Sequence, residues 1–152
     1  MEVLNIEARS KQDALPVAKV LFGKLKKYKR IGLFTTVQHL DELATLRNYL
    51  ELKGKEVFLS KPGPRCQYVG QVLGCDVVGP KTIENKVDAY VFLGTGRFHP
   101  LALASQTTKP VYTANLFLNH VEQISQTDIR RMQAKVAANV HKVMSAKSVG
   151  IL

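Results

Sequence analysis

The residues best equipped for chemistry lie in three polar stretches: TTVQH (35–39), GPRCQYVGQVLGCD (63–76) and GTGRFHP (94–100). Together they hold both cysteines of the chain and two of its four histidines. Thiol, imidazole, guanidinium and amide groups can ligate a metal, bind an anion or move a proton. Which of these they do depends on whether the fold brings the three stretches together.

Cys75 could be a buried small hydrophobe, a redox thiol or one ligand of a metal site. A single cysteine beside a strand is most often a buried, inert thiol. The alternative is a metal ligand, because Gly70 and Gly74 allow close backbone approach and Asp76 is a polar neighbour that a core position disfavours. Cys66 lacks both C-x-x-C spacing and a histidine at zinc-finger distance, so the sequence predicts no complete zinc site. An iron–sulfur cluster needs about three or four thiolates, more than this chain contains.

The stretch GTGRFHP could admit a phosphate or carboxylate through Gly94 and Gly96. It lacks the third glycine of the dinucleotide fingerprint and the Gly-Lys-Ser/Thr ending of a P-loop. Arg97 is either a carboxylate ligand or a solvated surface charge, and His99 is either a donor to a ligand or a turn residue bonded to backbone.

In TTVQH, Thr36 is predicted as a helix N-cap, while Gln38 and His39 could line a cleft. We assign no role to His120, placed in a loop, or to His141, placed on a helix flank. Ser-His-Asp order, H-E-x-x-H and paired-carboxylate motifs are absent from the sequence, so hydrolase chemistry is not predicted and the catalytic residues are unknown.

Short apolar runs precede the three polar stretches and predict buried strands. The predicted strands are 31–36, 56–60, 88–94 and 110–116, and the predicted helices are 12–27, 39–54 with Gly54 as C-cap, 100–108 with Pro100 in the first turn, and a long helix from 129 capped by Thr127 or Asp128. This alternation predicts an α/β three-layer sandwich with a short, mainly parallel four-stranded sheet and flanking helices. Ligands bind beyond the carboxyl ends of such strands, where the three polar stretches meet.

Both ends are predicted to continue past this core. A strand at 3–8 precedes it, and another begins in SVGIL (148–152) after a helix with an apolar face formed by Ile129, Met132, Val136, Val140 and Val143 or Met144. We divide the chain into a strand and helix linking to a missing first domain (1–28), an α/β core with Cys75 (29–126), and a helix and strand leading to a missing third domain (127–152). The terminal elements are expected to pair with another domain or chain.

The composition, 45% hydrophobic and 22% charged residues in a chain of 152, is that of one soluble globular unit. No apolar run approaches the roughly 20 residues of a membrane span, and a signal peptide pattern is absent, so we expect the cytoplasm and reduced thiols.

The formal charge of +10 is compatible with nucleic acid or an acidic macromolecule as partner. The densest run, KLKKYKR (24–30), falls where a helix is predicted to end, and cations there complement the helix dipole. Nucleic acid is therefore possible but not favoured.

Four motifs stand in register: GLFTTVQHLDEL (32–43), GQVLGCDVV (70–78), VDAYVFLGTGRFHPLALA (87–104) and KPVY (109–112). Together they closely resemble the middle domain of the diphthamide synthesis proteins, the 2-(3-amino-3-carboxypropyl)histidine synthases. The resemblance is strong over residues 30–115 and weaker elsewhere, where it includes the closing VGIL.

The resemblance implies three similar α/β domains, each giving one cysteine to a single [4Fe-4S] cluster in a central cleft. It further implies that S-adenosylmethionine is cleaved to a 3-amino-3-carboxypropyl radical, which is added to a histidine of elongation factor 2 in the first step of diphthamide biosynthesis. Cys75 matches the middle-domain cluster ligand, and Cys66 matches no ligand position. The matching cofactor-binding residues are Gln38, His39, Gly94, Gly96, Arg97 and His99.

The cysteine motifs of the first and third domains are absent, and TANLFLNH replaces the usual acidic stretch after KPVY. Since one thiolate cannot hold a cluster, we expect other domains or subunits in a homo- or hetero-oligomer, and the chain alone to be inactive. The alternative is a non-catalytic scaffold domain that docks a synthase subunit, a translation factor or RNA. A third hypothesis is a small nucleotide-binding enzyme.

Overall fold

The computed structural model describes residues 4, 6–148 and 150. Within them the chain folds into five strands, five α-helices and two short 3-10 helices (Val37–His39 and Glu84–Lys86) around one sheet. The strands are β1 (Arg30–Thr35), β2 (Glu56–Leu59), β3 (Ala89–Leu93), β4 (Val111–Asn115) and β5 (His120–Gln123), and the helices are α1 (Leu15–Lys24), α2 (Leu40–Leu52), α3 (Val78–Lys81), α4 (Phe98–Ala104) and α5 (Gln126–Ser145).

The sheet has the order β2-β1-β3-β4-β5, in which the first four strands are parallel. The two central strands, β1 and β3, are almost entirely buried apolar residues, as expected for strands covered on both faces. The predicted α/β class, the four parallel strands and the four main helices are thereby confirmed.

The predicted number of strands is wrong, because β5 pairs antiparallel with β4. His120 consequently lies in a strand opposite Asn115, and not in a loop. The connecting turn is built by Asn115, whose side chain accepts hydrogen bonds from the backbone N–H groups of Phe117 and Leu118, and by Asn119 with a φ of +48°. Only Val121 is buried in β5, so the strand lacks a strong apolar signal.

Two hydrophobic layers hold the helices on opposite faces of the sheet. The α1 and α2 face contains Leu21, Leu46 and Val91. The α4 and α5 face contains Phe92 and the buried ring of Tyr90, with further residues Phe34, Leu103 and Ile129. This is the predicted three-layer arrangement.

The ends of several helices agree with the predicted signals. Pro16 lies in the first turn of α1, and Pro100 in the first turn of α4. Gly54 follows the C-cap of α2 with a φ of +80°, a conformation that favours glycine. Beyond the C-terminus of α1, Lys55 Nζ donates to the carbonyl oxygens of Leu25 at 2.8 Å and Tyr28 at 2.6 Å, and so holds the segment that follows the helix.

The cap of α5 differs from the prediction. Ser125 is the N-cap, and Asp128 completes a capping box with it from the third helical position. The predicted apolar face exists in sequence but is mostly solvent-exposed: only Ile129 is buried, whereas Val136, Val140, Val143 and Met144 are exposed.

The predicted terminal strands are not found in the described residues. Residues 4 and 6–8 are irregular, while residues 3 and 5 of the predicted strand 3–8 lie outside the described part. Of SVGIL, residues 149, 151 and 152 lie outside it. No helix in the described ranges has both the length and the apolar character needed to cross a membrane.

Candidate functional site

The long loop between β2 and α3 continues the sheet at its carboxyl edge. Thr35, the last residue of β1, donates its backbone N–H to Gly70 O at 2.9 Å and accepts from Val72 N at 2.8 Å. Gly70 has a φ of +79°, and a Cβ atom there would lie 2.8 Å from Leu43. The glycine therefore lets the loop run close against α2.

Cys75 lies at the tip of a tight turn just beyond this edge. Leu73 and Asp76 close the turn with reciprocal backbone hydrogen bonds of 3.2 and 3.0 Å, which leaves Gly74 and Cys75 as its two central residues. The side chain of Cys75 is exposed. The interpretation of Cys75 as a buried, inert thiol is therefore wrong.

Asp76 supports this turn from inside the loop. Its carboxylate is buried and accepts backbone N–H bonds from Arg65 at 2.7 Å and Val78 at 3.2 Å. A Cβ atom at Gly63 would lie 2.1 Å from the same carboxylate, so only glycine fits against it. Asp76 thus holds the loop at two points: at Arg65, before the turn that contains Cys75, and at Val78, after it.

Cys66 lies in the same loop in a different environment. Its side chain is partly buried, and burial, followed by the nearby Asp76 carboxylate, raises the pKa of its thiol. Cys66 therefore remains protonated under conditions in which an ordinary cysteine ionises.

The second motif follows β3. Gly94 continues the sheet by donating to Ala114 O at 3.0 Å, and a Cβ atom there would lie 2.8 Å from the ring of Phe92. At Gly96, by contrast, a Cβ atom would meet no described atom within 4 Å. Close packing on Phe92 therefore explains why residue 94 is a glycine. No such contact among the described residues explains the glycine at position 96.

Arg97 binds carboxylates of its own chain. Its Nε lies 3.0 Å from Glu122 of β5, and its NH2 lies 2.7 Å from Asp128 of α5. The side chain does not line the cavity described below. In this arrangement Arg97 joins α4 to β5 and α5.

A cavity of about 330 Å³ brings the first and third polar stretches together. Four sequence-predicted residues line it: Gln38, His39, Gly96 and His99. The remaining lining residues are Thr36, Val37, Phe92, Thr95 and Phe98. Cys75 is outside the lining, but its neighbour Gly74 packs on Phe98.

Burial favours the uncharged form of both histidines of the cavity. Burial lowers the pKa of both His39 and His99, and the nearby Glu42 only partly opposes this for His39. Neither ring nitrogen of His39, nor Nδ1 of His99, has a hydrogen-bond partner among the described residues. Such buried polar atoms without a partner are rare in folded proteins, and a bound ligand is one explanation for them.

Sequence reasoning missed three residues of this region: Glu42, Asp76 as the support of the loop, and Phe98 as the link between motifs. Glu42 stands three residues after His39 at the start of α2, a spacing that places both on one helix face. The turn-forming role of Asp76 had a signal in the known tendency of aspartate to bond nearby backbone N–H groups.

Across the described ranges, no three His, Cys, Asp or Glu side chains are grouped closely enough to hold a metal ion. Cys75 therefore stands as a single accessible thiol at the carboxyl edge of the sheet. A metal centre that used it would need ligands from outside these residues.

Comparison with known proteins identifies one family. The sequence model of the diphthamide synthesis proteins matches residues 1–152. The 2-(3-amino-3-carboxypropyl)histidine synthase of Pyrococcus horikoshii is 31% identical over 148 residues, which cover 97% of this chain and 42% of that protein. Subunit 1 of the synthase from Caenorhabditis elegans is 37% identical over 71 residues, 47% of this chain and 17% of that subunit.

The fold is also that of a known structure. The crystal structure of Dph2 from Pyrococcus horikoshii with a 4Fe-4S cluster superposes with a TM-score of 0.78 at 31% identity, over 91% of this chain and 40% of that one. The chain thus spans about two fifths of the Pyrococcus protein.

Proposed function

Because this chain belongs to the family of diphthamide synthesis proteins, we propose that it is one domain, the middle one, of a 2-(3-amino-3-carboxypropyl)histidine synthase. The intact assembly transfers the 3-amino-3-carboxypropyl group of S-adenosylmethionine to a histidine of elongation factor 2. We expect the assembly to work in the cytoplasm. The chain alone is inactive, because it supplies only part of the site.

The exposed position of Cys75 is the observation that carries this proposal. A thiol at the tip of a turn, fixed from behind by the buried Asp76, can reach a metal centre that lies outside this chain. The donor set fits one ligand to a [4Fe-4S] cluster, whose other thiolates come from other domains or subunits. When bound, such a cluster supplies the electron that cleaves S-adenosylmethionine.

The neighbouring cavity is proposed to bind S-adenosylmethionine. His39 and His99 offer uncharged hydrogen-bonding groups, and Gln38 offers an exposed amide. The open space at Gly96 would let a ligand approach the backbone closely. Arg97 is proposed to orient the motif through its ion pairs with Glu122 and Asp128.

The exposed apolar face of α5 supports the presence of further domains or subunits. Val136, Val140 and Val143 lie on one side of the helix and are more than half exposed. A stripe of this kind is typical of a surface that another protein unit covers. Several relatives carry the name subunit 1, which is consistent with an assembly of more than one chain.

The proposal is tested by anaerobic purification of the tagged chain from its native cells, with counting of iron and identification of the co-purifying chains. We expect a cluster only when chains that supply the missing cysteines are present, and little iron on the isolated chain. A full [4Fe-4S] spectrum on the isolated chain would contradict the proposal. So would an iron-free assembly with a translation factor or RNA, which would favour a scaffold role.

A further inference from the structure

A buried carboxylate faces one of the two cavity histidines. Glu42 Oε2 lies 3.9 Å from Nδ1 of His39, and the two side chains are only 4% and 1% exposed. Neither atom has a hydrogen-bond partner in the described part of the chain. Since an unpaired polar group costs free energy when buried, the close placement of two such groups calls for an explanation.

Glu42 is held in its buried position by a backbone hydrogen bond. Its other oxygen, Oε1, accepts the backbone N–H of Gln12 at 2.9 Å, which ties the N-terminal segment to the first turn of α2. The preceding residue, Asp41, is largely exposed and instead approaches Arg9. The first turn of α2 thus directs one of its two acidic side chains inward.

The orientation of the imidazole ring gives its two edges different surroundings. Nδ1 is on the side of Glu42. Cδ2, the carbon bonded to Nε2, would lie 3.7 Å from a Cβ atom at Gly94, which opens the loop that lines the cavity. The Glu42 carboxylate acts on His39 by raising its pKa against the larger effect of burial, and burial lowers the pKa of His99, the second histidine at the cavity.

We infer that Glu42 is a positioning residue that keeps the proton of neutral His39 on Nδ1 and leaves Nε2 as a hydrogen-bond acceptor for a ligand in the cavity. If Nδ1 were unprotonated, its lone pair would face the carboxylate oxygen of Glu42 and be repelled by it. When Nδ1 carries the proton, the positive end of the N–H dipole faces that oxygen and is attracted to it. In a neutral histidine the surroundings of one nitrogen decide which nitrogen keeps the proton. Burial strengthens the effect, because the low local dielectric screens the carboxylate poorly.

The arrangement selects the chemical class of the ligand group. A ligand that binds His39 must present an N–H or O–H donor, such as an amine, an amide or a hydroxyl group, since Nε2 can only accept. The class of ligand group rests on the proposed function of the cavity. The assignment of the proton to Nδ1 does not rest on it, so either conclusion can fail without the other.

Nitrogen-15 NMR of the imidazole groups in the full chain at pH 7.5 tests the inference, because long-range couplings distinguish the two tautomers. We expect Nδ1–H for His39 in the wild-type chain and in Glu42→Asp, which retains a carboxylate. In Glu42→Gln the amide can donate to Nδ1, so we expect a shift to Nε2–H. The control Glu51→Gln, an exposed residue of the same helix paired with Arg47, leaves the tautomer unchanged.

An Nε2–H tautomer in the wild-type chain would overturn the inference without any variant. An unchanged tautomer in Glu42→Gln would overturn it as well. The affinity for S-adenosylmethionine, measured by calorimetry on the anaerobically purified assembly that carries the same substitutions, is expected to fall at least about tenfold in Glu42→Gln, the loss of about one hydrogen bond to a buried acceptor. Absence of binding to the wild-type assembly, with the tautomers as expected, would refute the proposed ligand of the cavity and leave the role of Glu42 intact.

Discussion

A Cβ atom at Gly74 would lie 2.1 Å from Cε1 of Phe98, so the glycine before Cys75 packs directly on the ring that begins α4. Phe98 also lines the cavity of His39 and His99, although the residue is 70% exposed. This contact joins the cysteine turn to the G-x-G-R-F-H motif. The position of the thiol is therefore coupled to the loop proposed to bind S-adenosylmethionine.

The substitution Gly74→Ala is expected to push the Phe98 ring aside. The ring is the exposed end of a flexible side chain, so the loss in free energy of unfolding should stay below about 1 kcal/mol. A double-mutant cycle with Phe98→Ala, followed by urea denaturation, should give a coupling energy of about 0.5 kcal/mol or more. Gly96→Ala is the control, because a Cβ atom there meets no described atom and should show no coupling with Phe98. Additive effects of Gly74→Ala and Phe98→Ala would refute the contact.

The two cysteines should differ in reactivity. Cys75 is exposed, whereas burial and Asp76 raise the pKa of the Cys66 thiol, which lowers its thiolate fraction at any given pH. Iodoacetamide at pH 8 should therefore alkylate Cys75 at least several times faster than Cys66, as followed by peptide mass spectrometry. Equal rates in the folded chain would contradict the structure of the loop, and the denatured chain supplies the reference in which the difference should disappear.

Asp88 should stabilise the chain at neutral pH but not in acid. Hydrogen bonds from the Arg30 guanidinium, at 2.7 Å and 3.1 Å, and from the Arg30 backbone lower the pKa of Asp88 to about 2. Because this pKa is below the unfolded value of about 3.9, the stabilisation is present above pH 4 and is lost as the pH falls toward 2. In urea denaturation, wild type should exceed Asp88→Asn by about 1 kcal/mol at pH 7, and the gap should close between pH 4 and pH 2. A gap that is independent of pH would show that the ion pair contributes nothing.

The apolar face of α5 should matter for assembly and not for the stability of the chain. Val140 is exposed, so Val140→Glu should change the free energy of unfolding by less than about 0.5 kcal/mol. In native cells it should reduce the chains recovered with the tagged protein severalfold. Ala138→Glu adds the same charge on another side of the helix and serves as control. Full recovery of the partners with Val140→Glu would exclude this face as their contact surface.

Much of the fold is predictable because its determinants are local. Buried runs such as AYVFL need no partner to be recognised as strands, and Gly54 and Pro16 mark helix ends through backbone conformations that few other residues share. In β5 the identity of the element depends on pairing with β4, because HVEQ has one buried residue and a weak periodicity. Ser125 was missed as the cap because Thr127 and Asp128 are equally good cap residues in sequence.

Some residues of the candidate site were likewise predictable from the sequence, and others were not. Gln38, His39, Gly96 and His99 were predictable because parallel strands bring their carboxyl ends together. The environment of Arg97 was not, since its carboxylate partners lie on β5, which was not predicted, and on a helix that begins earlier than expected. The hydrogen bond that holds Glu42 likewise comes from the backbone of Gln12, thirty residues earlier in the chain.

Cys75 is proposed to supply one ligand to a cluster shared with other protein units. This role is tested by electron paramagnetic resonance of the reduced, anaerobically purified assembly, with Cys75→Ala compared with Cys66→Ala. We predict that Cys75→Ala loses or alters the [4Fe-4S] signal and lowers the iron content, while Cys66→Ala retains both. An unchanged signal and iron content in Cys75→Ala would contradict the claim.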